Sequence, residues 1–287
     1  MRRLDFPIGP ELEGRRVGRL VLGLAGVSRH GYARLKQENG VLLDGQPAHA
    51  DMRVRAGQVL SVLIGDDSPS AGKFPLPVLY ADQDVIVLDK PAPLSTMRSP
   101  GKPGPTVEEL MTADGEPFRP VNRLDKGTSG LMVLARSAYA QQRLQKLLHT
   151  DRFVRRYLAV TEGVWEGRGV IDLPLVRESE QSVRRVVSPD GKPCVTHFET
   201  LFSGYGRTLV RLLLETGRTH QIRAHLAAAG HPVAGDYLYG QASADLPGRF
   251  ALHSAELSFV HPVTGDTCSF ESPLPPDLGR LTGQEEH

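Results

Sequence analysis

Apolar residues recur at helical spacing near the start of the chain. Val17, Leu20, Val21, Leu24 and Val27 share one face, which predicts an amphipathic helix. Ser28 is placed to cap a second helix reaching about Glu38, with Tyr32 and Leu35 on one face and Arg29, Arg34 and Lys36 elsewhere; Asn39-Gly40 ends it. Residues 41–47 then read as a strand and tight turn, and residues 58–64 as another strand. Two short helices with a small hairpin-like sheet make a compact module, 1–65, carrying a basic helix. Gly, Ser, Asp and Pro cluster immediately after it, which predicts a linker at 66–77 and a second domain at 78–287.

Strand signals dominate the second domain. Residues 78–80 and 85–88 flank an acidic turn, and 131–134, 157–161, 195–201 and 209–214 are further candidates, with Pro189-Asp190-Gly191 a turn between two of them. Helices are fewer. Ser137 is expected to cap one with Ala140, Leu144, Leu147 and Leu148 inward, and Thr219 another through Ala229, closed by Gly230 and Pro232. The expected class is α+β: a large, mainly antiparallel mixed sheet with peripheral helices and long loops, beside the small N-terminal α/β module. No internal repeat is visible.

At 287 residues, 40% apolar and 23% charged, the composition is that of an ordinary soluble globular protein with room for one large and one small domain. Cys194 and Cys268 have neither the number nor the spacing of a zinc site or disulfide framework, so a cytoplasmic setting is expected. The apolar run at 20–27 follows Arg15-Arg16 but begins inside the chain and lacks a cleavage site, so it reads as a buried helix face; no segment approaches the ~18 apolar residues of a membrane span. A formal net charge of +1 hides a local asymmetry. Residues 119–156 hold nine Lys/Arg (Arg119, Arg123, Lys126, Arg136, Arg143, Lys146, Arg152, Arg155, Arg156) against Asp125 and Asp151. A local basic field of that kind suits phosphates whatever the global charge.

Within that field, Asp125 lies between Arg123 and Lys126 on a Gly-rich bend before an apolar run. A lone carboxylate among cations stays ionised at neutral pH, which suits a nucleophile or charge partner and not a general acid. A surface turn with an ion pair is the competing reading. A second rich stretch spans residues 214–240. Arg218 sits just ahead of a predicted helix N-terminus, where anions are favoured; Arg218 and Arg223 are candidate phosphate ligands, or Arg218 holds a carboxylate such as Asp125. His220 and His225 are five apart, not the four of a shared helical face, and no acid is interleaved, so no metal site is expected with His231.

Asn122-Arg-Leu-Asp-Lys-Gly-Thr-Ser-Gly130, Gly217-Arg-Thr-His-Gln-Ile-Arg223 and Gly230-His-Pro-Val-Ala-Gly-Asp236 resemble the RluA-type family of RNA pseudouridine synthases. Asp84 through Asp89-Lys90-Pro91, Arg156-Tyr157, Leu252-His253 and His261-Pro262 support the match, which runs in order over roughly residues 78–275. The N-terminal module is similar to a small RNA-binding module of ribosomal-protein type through Gly26–Gly31, Gly40–Gly45 and the strand at 56–62.

The resemblance implies isomerisation of uridine within RNA, with no cofactor and no metal. It makes Asp125 the catalytic carboxylate, paired with Arg218, and Tyr157 an aromatic residue near the uracil, for proton transfer or packing. It makes Arg123 the residue that fills the place of a flipped base, with Asn122, Lys126, Thr128 and Arg223 beside the substrate. Arg29, Arg34, Arg143 and Lys146, with Arg119, Arg155 and Arg156, become phosphate contacts. RNA is the implied partner, ribosomal RNA favoured and transfer RNA the alternative, with a monomer as the default. One departure stands out: the family usually carries His where Asn122 stands, which raises the alternative of a weakened enzyme acting as an RNA-binding or ribosome-assembly factor.

Overall fold

The computed structural model describes residues 2–27, 29–64, 75–99, 104–112 and 119–283. Ser28 and most of the expected linker lie outside them. Strand β1 (Arg2–Pro7) opens the chain, followed by α1 (Val17–Gly23), α2 (Arg29–Gln37), β2 (Val41–Leu43), β3 (Gln46–Pro47) and β4 (Val59–Ile64). The strands form an antiparallel sheet in the order β1-β4-β2-β3. Asp44 and Gly45 both adopt left-handed φ, 49° and 82°, the mirror-image turn that matches strand twist in a two-residue hairpin. Val17, Leu20 and Val21 of α1 pack with Tyr32, Leu35, Leu60 and Val62, as the helical spacing predicts. β1 is not legible from local pattern: its partner, β4, lies some sixty residues on, pairing Arg2 with Ile64 through Pro7 with Val59.

The remaining elements are β5 (Val78–Ala81), β6 (Val85–Lys90), α3 (Val107–Met111), β7 (Ser129–Ala135), α4 (Ala138–Leu147), β8 (Phe153–Glu162), β9 (Arg168–Asp172), β10 (Leu175–Arg177), β11 (Arg185–Val187), β12 (Val195–Gly204), β13 (Arg207–Leu214), α5 (Gln221–Ala228), β14 (Leu252–Val260), β15 (Thr267–Glu271) and α6 (Pro276–Gly279). A nine-stranded sheet runs β5-β6-β7-β14-β8-β13-β12-β9, with β15 against β14, and β10–β11 form a separate ribbon. This is the expected α+β architecture. Its one parallel pair joins β7 to β14 at His253–Ser129 and Ser254–Gly130.

β7 is buried along its whole length because the sheet is covered on both faces. Met132 and Leu134 enter the main core with Ile86, Leu88, Leu212 and Leu226. Leu131, Val133 and Ala135 point the other way, onto Ala140 and Leu144 of α4. Strand alternation thus feeds two cores from one apolar run.

α4 begins where expected, with the Ser137 hydroxyl accepting from Ala140 N at 3.1 Å. α5 does not start at Thr219. Its N-cap is His220 in a left-handed conformation (φ 56°). No side chain caps it; Gln221 instead ties the preceding turn to β12, its Oε1 accepting from Arg218 N (3.0 Å) and its Nε2 donating to Val195 O (3.0 Å). Tyr139 of α4 joins the core of the N-terminal sheet, the Lys146 ammonium donates to Gly26 O at 3.5 Å, and Arg2 pairs with Asp84. The outward residues of α4 therefore meet the N-terminal unit.

Gly130 sits at the parallel junction with φ of +103°, and a Cβ there would lie 2.3 Å from Ser254 O. Neither the backbone conformation nor the space admits a side chain. Gly130→Ala is expected to destabilise the protein by more than about 3 kcal/mol in urea unfolding; a change under about 1 kcal/mol would contradict this geometry.

Candidate active site

The bend carrying Asp125 has no regular secondary structure, so side chains and neighbouring backbone hold it. Thr96 Oγ1 donates to Leu124 O at 2.6 Å and accepts from Leu124 N at 3.2 Å. Leu94 N donates to Lys126 O (3.0 Å), and Thr128 N to Asp125 O (3.1 Å). Asn122 Oδ1 accepts from Val133 N of β7 at 2.8 Å. The 91–94 turn is itself anchored by the fully buried Lys90, whose ammonium donates to Pro91 O (3.0 Å) and Leu94 O (2.7 Å). Burial pushes Lys90 down to about 7, with Asp125 and Asp89 opposing that fall.

The cation on Asp125 is Arg223. Its Nη1 donates to Asp125 Oδ2 at 2.9 Å, while Nε and Nη2 donate to Asp236 Oδ2 (2.6 Å) and Oδ1 (2.8 Å). The guanidinium stacks on Phe250, 4.2 Å from the ring centroid, and faces Tyr239 at 5.1 Å. Burial alone would lower Arg223, but Asp236 and Asp125 outweigh it and hold the side chain above its ordinary value. Asp236, completely buried, also accepts from Leu238 N and Tyr239 N. A fork with all its polar neighbours satisfied offsets the desolvation penalty of a buried ion pair.

Asp125 itself stays 29% exposed and opens into a shallow, solvent-open cleft lined also by Arg123, Thr128, Tyr157, Arg218 and His220. His220 Nε2 is 3.8 Å from Asp125 Oδ2 and its Nδ1 is 3.1 Å from Tyr239 Oη. Burial lowers the His220 pKa, against the pull of Asp125. Tyr157 is buried in the main core beneath the cleft, and burial pushes its phenol up.

Several sequence expectations change. Arg218 lines the cleft, but its guanidinium neighbours the Cys194 thiol and Arg223 takes the place expected of it beside Asp125. Arg223, 3% exposed and with its charge already paired by two carboxylates, is out of reach of a phosphate. Asn122 is buried against β7 and braces the bend from behind, without facing the cleft. Arg143 lies against Gly26 and Lys146 donates to it, so both meet the N-terminal unit. Arg155 is buried, donating to Leu148 O, and Arg156 pairs with Glu256. Arg123 and Lys126 are exposed beside Asp125, and Arg29 and Arg34 are exposed on α2, Arg34 paired with Glu38.

Asp236, Tyr239, Lys90 and Thr96 carry structure here that the sequence reading did not assign. Asp236 and Lys90 belong to the motifs at 230–236 and 89–91, which is a usable signal; the sequence around Thr96 carries none. His220, His225 and His231 have separate surroundings. His225 bonds Thr196 and Leu173 O, and His231 stacks on Trp165. Asp82, Asp84 and His261 come close enough for a metal, but His261, Tyr80, Arg2 and two backbone N–H groups already occupy their oxygens. Among the described residues the arrangement is a hydrogen-bonded knot.

The folded state releases the Lys90 proton near pH 7 and the unfolded chain near 10.5. Between those values the unfolded state binds more protons, so stability rises with pH. Urea unfolding at pH 7, 8 and 9 should show wild type gaining up to about 1.4 kcal/mol per pH unit over Lys90→Met; parallel profiles would refute it.

Residues 84–228 match the family model for RNA pseudouridylate synthase. The chain is 35% identical over 277 residues to the uncharacterised RNA pseudouridine synthase YjbO of Bacillus subtilis, covering 92% of this chain and 98% of that protein. It is 36% identical over 264 residues to ribosomal large subunit pseudouridine synthase D of Nitrosomonas europaea, covering 85% and 76%. Among solved structures, human RNA pseudouridylate synthase domain containing 1 aligns with a TM-score of 0.58 at 26% identity, over 74% of this chain and 90% of that one. With its motifs, its sheet and its relatives in agreement, the chain belongs to the RluA-type RNA pseudouridylate synthases.

Proposed function

We propose that Asp125 is the catalytic carboxylate of this uridine isomerase and that its substrate is a uridine in structured, large-subunit ribosomal RNA. The observation that carries the first part is a carboxylate at the wall of a cleft, oriented by a guanidinium that is itself locked by a second carboxylate. The names of relatives such as the Nitrosomonas and Vibrio vulnificus large-subunit synthases support the second. In the reaction the N1–C1′ bond breaks, uracil turns and C5 bonds to C1′. The C5 proton leaves to solvent and N1 regains one, so no oxidant or cofactor is required. Asp125 either attacks C1′ or removes the 2′ proton on the way to a glycal.

The uridine must leave its stack to reach the cleft, at an expense of a few kcal/mol. Arg123, exposed beside Asp125, fills the vacated position, and Lys126 meets the backbone. Tyr157 packs beneath the base; its raised phenol makes it a poor proton acceptor. Asn122 braces the bend through an acceptor atom, a task a neutral imidazole nitrogen also performs, so the exchange of His for Asn is compatible with full activity. Residues 1–65 act as an RNA-binding module presenting Arg29 and Arg34, joined through 66–77 to a catalytic domain at 78–287. The enzyme works as a cytoplasmic monomer.

Tritium release from C5-labelled uridine in RNA transcripts tests the catalytic assignment. Asp125→Asn should lose at least about 1000-fold in kcat while still binding RNA; activity within tenfold of wild type rejects it. Pseudouridine maps of cells with and without the gene test the substrate. Sites should vanish from large-subunit ribosomal RNA, and loss confined to transfer RNA would overturn that choice.

A further inference from the structure

We infer that Arg185, on the β10–β11 ribbon, is a phosphate contact for the RNA backbone next to the target uridine, delivered to the cleft by Tyr239. This rests on the RNA-substrate reading above and adds a binding residue to it. The ribbon stands outside the nine-stranded sheet and is tied down beside α5, where Leu175 packs with Ala224, Cys194 and Tyr239. Tyr239 makes the decisive connection. Its Oη accepts from Arg185 N at 2.7 Å and lies 3.1 Å from His220 Nδ1, the imidazole whose Nε2 is 3.8 Å from Asp125. The Tyr239 ring is flanked by the guanidinium groups of Arg184 (5.5 Å) and Arg223 (5.1 Å). One aromatic side chain therefore couples the ribbon to the surroundings of the catalytic carboxylate.

The neighbouring arginines have protein acceptors. Arg177 donates to Glu180 O, Arg184 to Glu178, and Arg223 to Asp125 and Asp236. Arg185 pairs with no carboxylate among the described residues, and its Nη1 is shielded from solvent without a hydrogen-bond partner. Its charge is close enough to help depress His220, after burial and Arg223. Burial of that one atom leaves the guanidinium partly desolvated and uncompensated, on a ribbon tied through Tyr239 to His220 of the cleft wall, and its other N–H groups remain for an acceptor that the substrate brings. The planar fork of Arg matches two phosphate oxygens, and such a contact positions the RNA without reading its sequence. Here it would set the target sugar against Asp125.

The test uses the full chain with transcripts of large-subunit ribosomal RNA and of transfer RNA, labelled at uridine C5, over a series of KCl concentrations. Arg185→Gln should raise KM about tenfold, with a smaller change in kcat, and flatten the slope of log(kcat/KM) against log[KCl] by about 0.7, the signature of one lost phosphate contact on a single strand. Arg185→Lys keeps the charge but not the fork, so the slope should return while KM recovers only partly. A wild-type KM and slope in Arg185→Gln overturns the inference. So does a fall in kcat with the slope unchanged, which marks a structural or purely local electrostatic role. If Arg185→Gln melts early, Arg185→Lys decides alone, and a wild-type KM there counts against the fork. Failure of the enzymatic reading would look different, since wild type itself would release no tritium from any RNA.

Discussion

Arg223 sits between two carboxylates of opposite accessibility, Asp236 at zero exposure and Asp125 at the cleft. The rest of the site depends on this three-way contact. Nε and Nη2 are spent on Asp236, which is also held by backbone N–H groups, so Nη1 is aimed at Asp125 in a fixed direction. Phe250 and Tyr239 cover the cation's faces. The result is preorganisation: the carboxylate is oriented before a substrate arrives, at the expense of burying charge that must remain fully paired.

Orientation from one side would leave the bend free to rotate, and the chain supplies a second restraint from the other. Thr96 grips both backbone groups of Leu124, Leu94 holds Lys126, and Lys90 secures the turn that carries them. The amides of Val107 and Glu108 at the start of α3 bond to Ser95 O and Thr96 O, so this clamp is continuous with a helix. Asn122 adds a brace to β7, itself locked between two cores and joined to β14 at the Gly130 contact. Asp125 is thus placed by a loop that inherits its rigidity from the sheet.

The basic stretch at 119–156 shows how misleading a linear charge count is. Arg155 is buried against Phe153, Arg156 faces Glu256, and Arg143 and Lys146 meet Gly26. Arg123 and Lys126 remain exposed beside the carboxylate. A further cation without a carboxylate partner among the described residues, Arg185, lies on a ribbon that carried no strand signal strong enough to read.

The sequence by itself determined the class of the fold, the two helices and hairpin of the N-terminal unit, the strands around 85, 131, 157, 195 and 209, the helix capped by Ser137, and the identity of Asp125 as the residue to watch. These are properties of local periodicity, capping and a contiguous motif, all written over a few neighbouring residues. The partner of Asp125 was not legible, because Arg218 and Arg223 lie on the same short stretch and only the left-handed turn at His220 and the start of α5 at Gln221 decide which one reaches it. β1, β14 and the role of Asn122 escaped for the same reason. Their partners lie outside the local window, 11 residues away for Asn122 and from about fifty to more than a hundred for β1 with β4 and β14 with β7, and hydrogen bonds of that kind are chosen by packing of the whole chain, which no local pattern encodes.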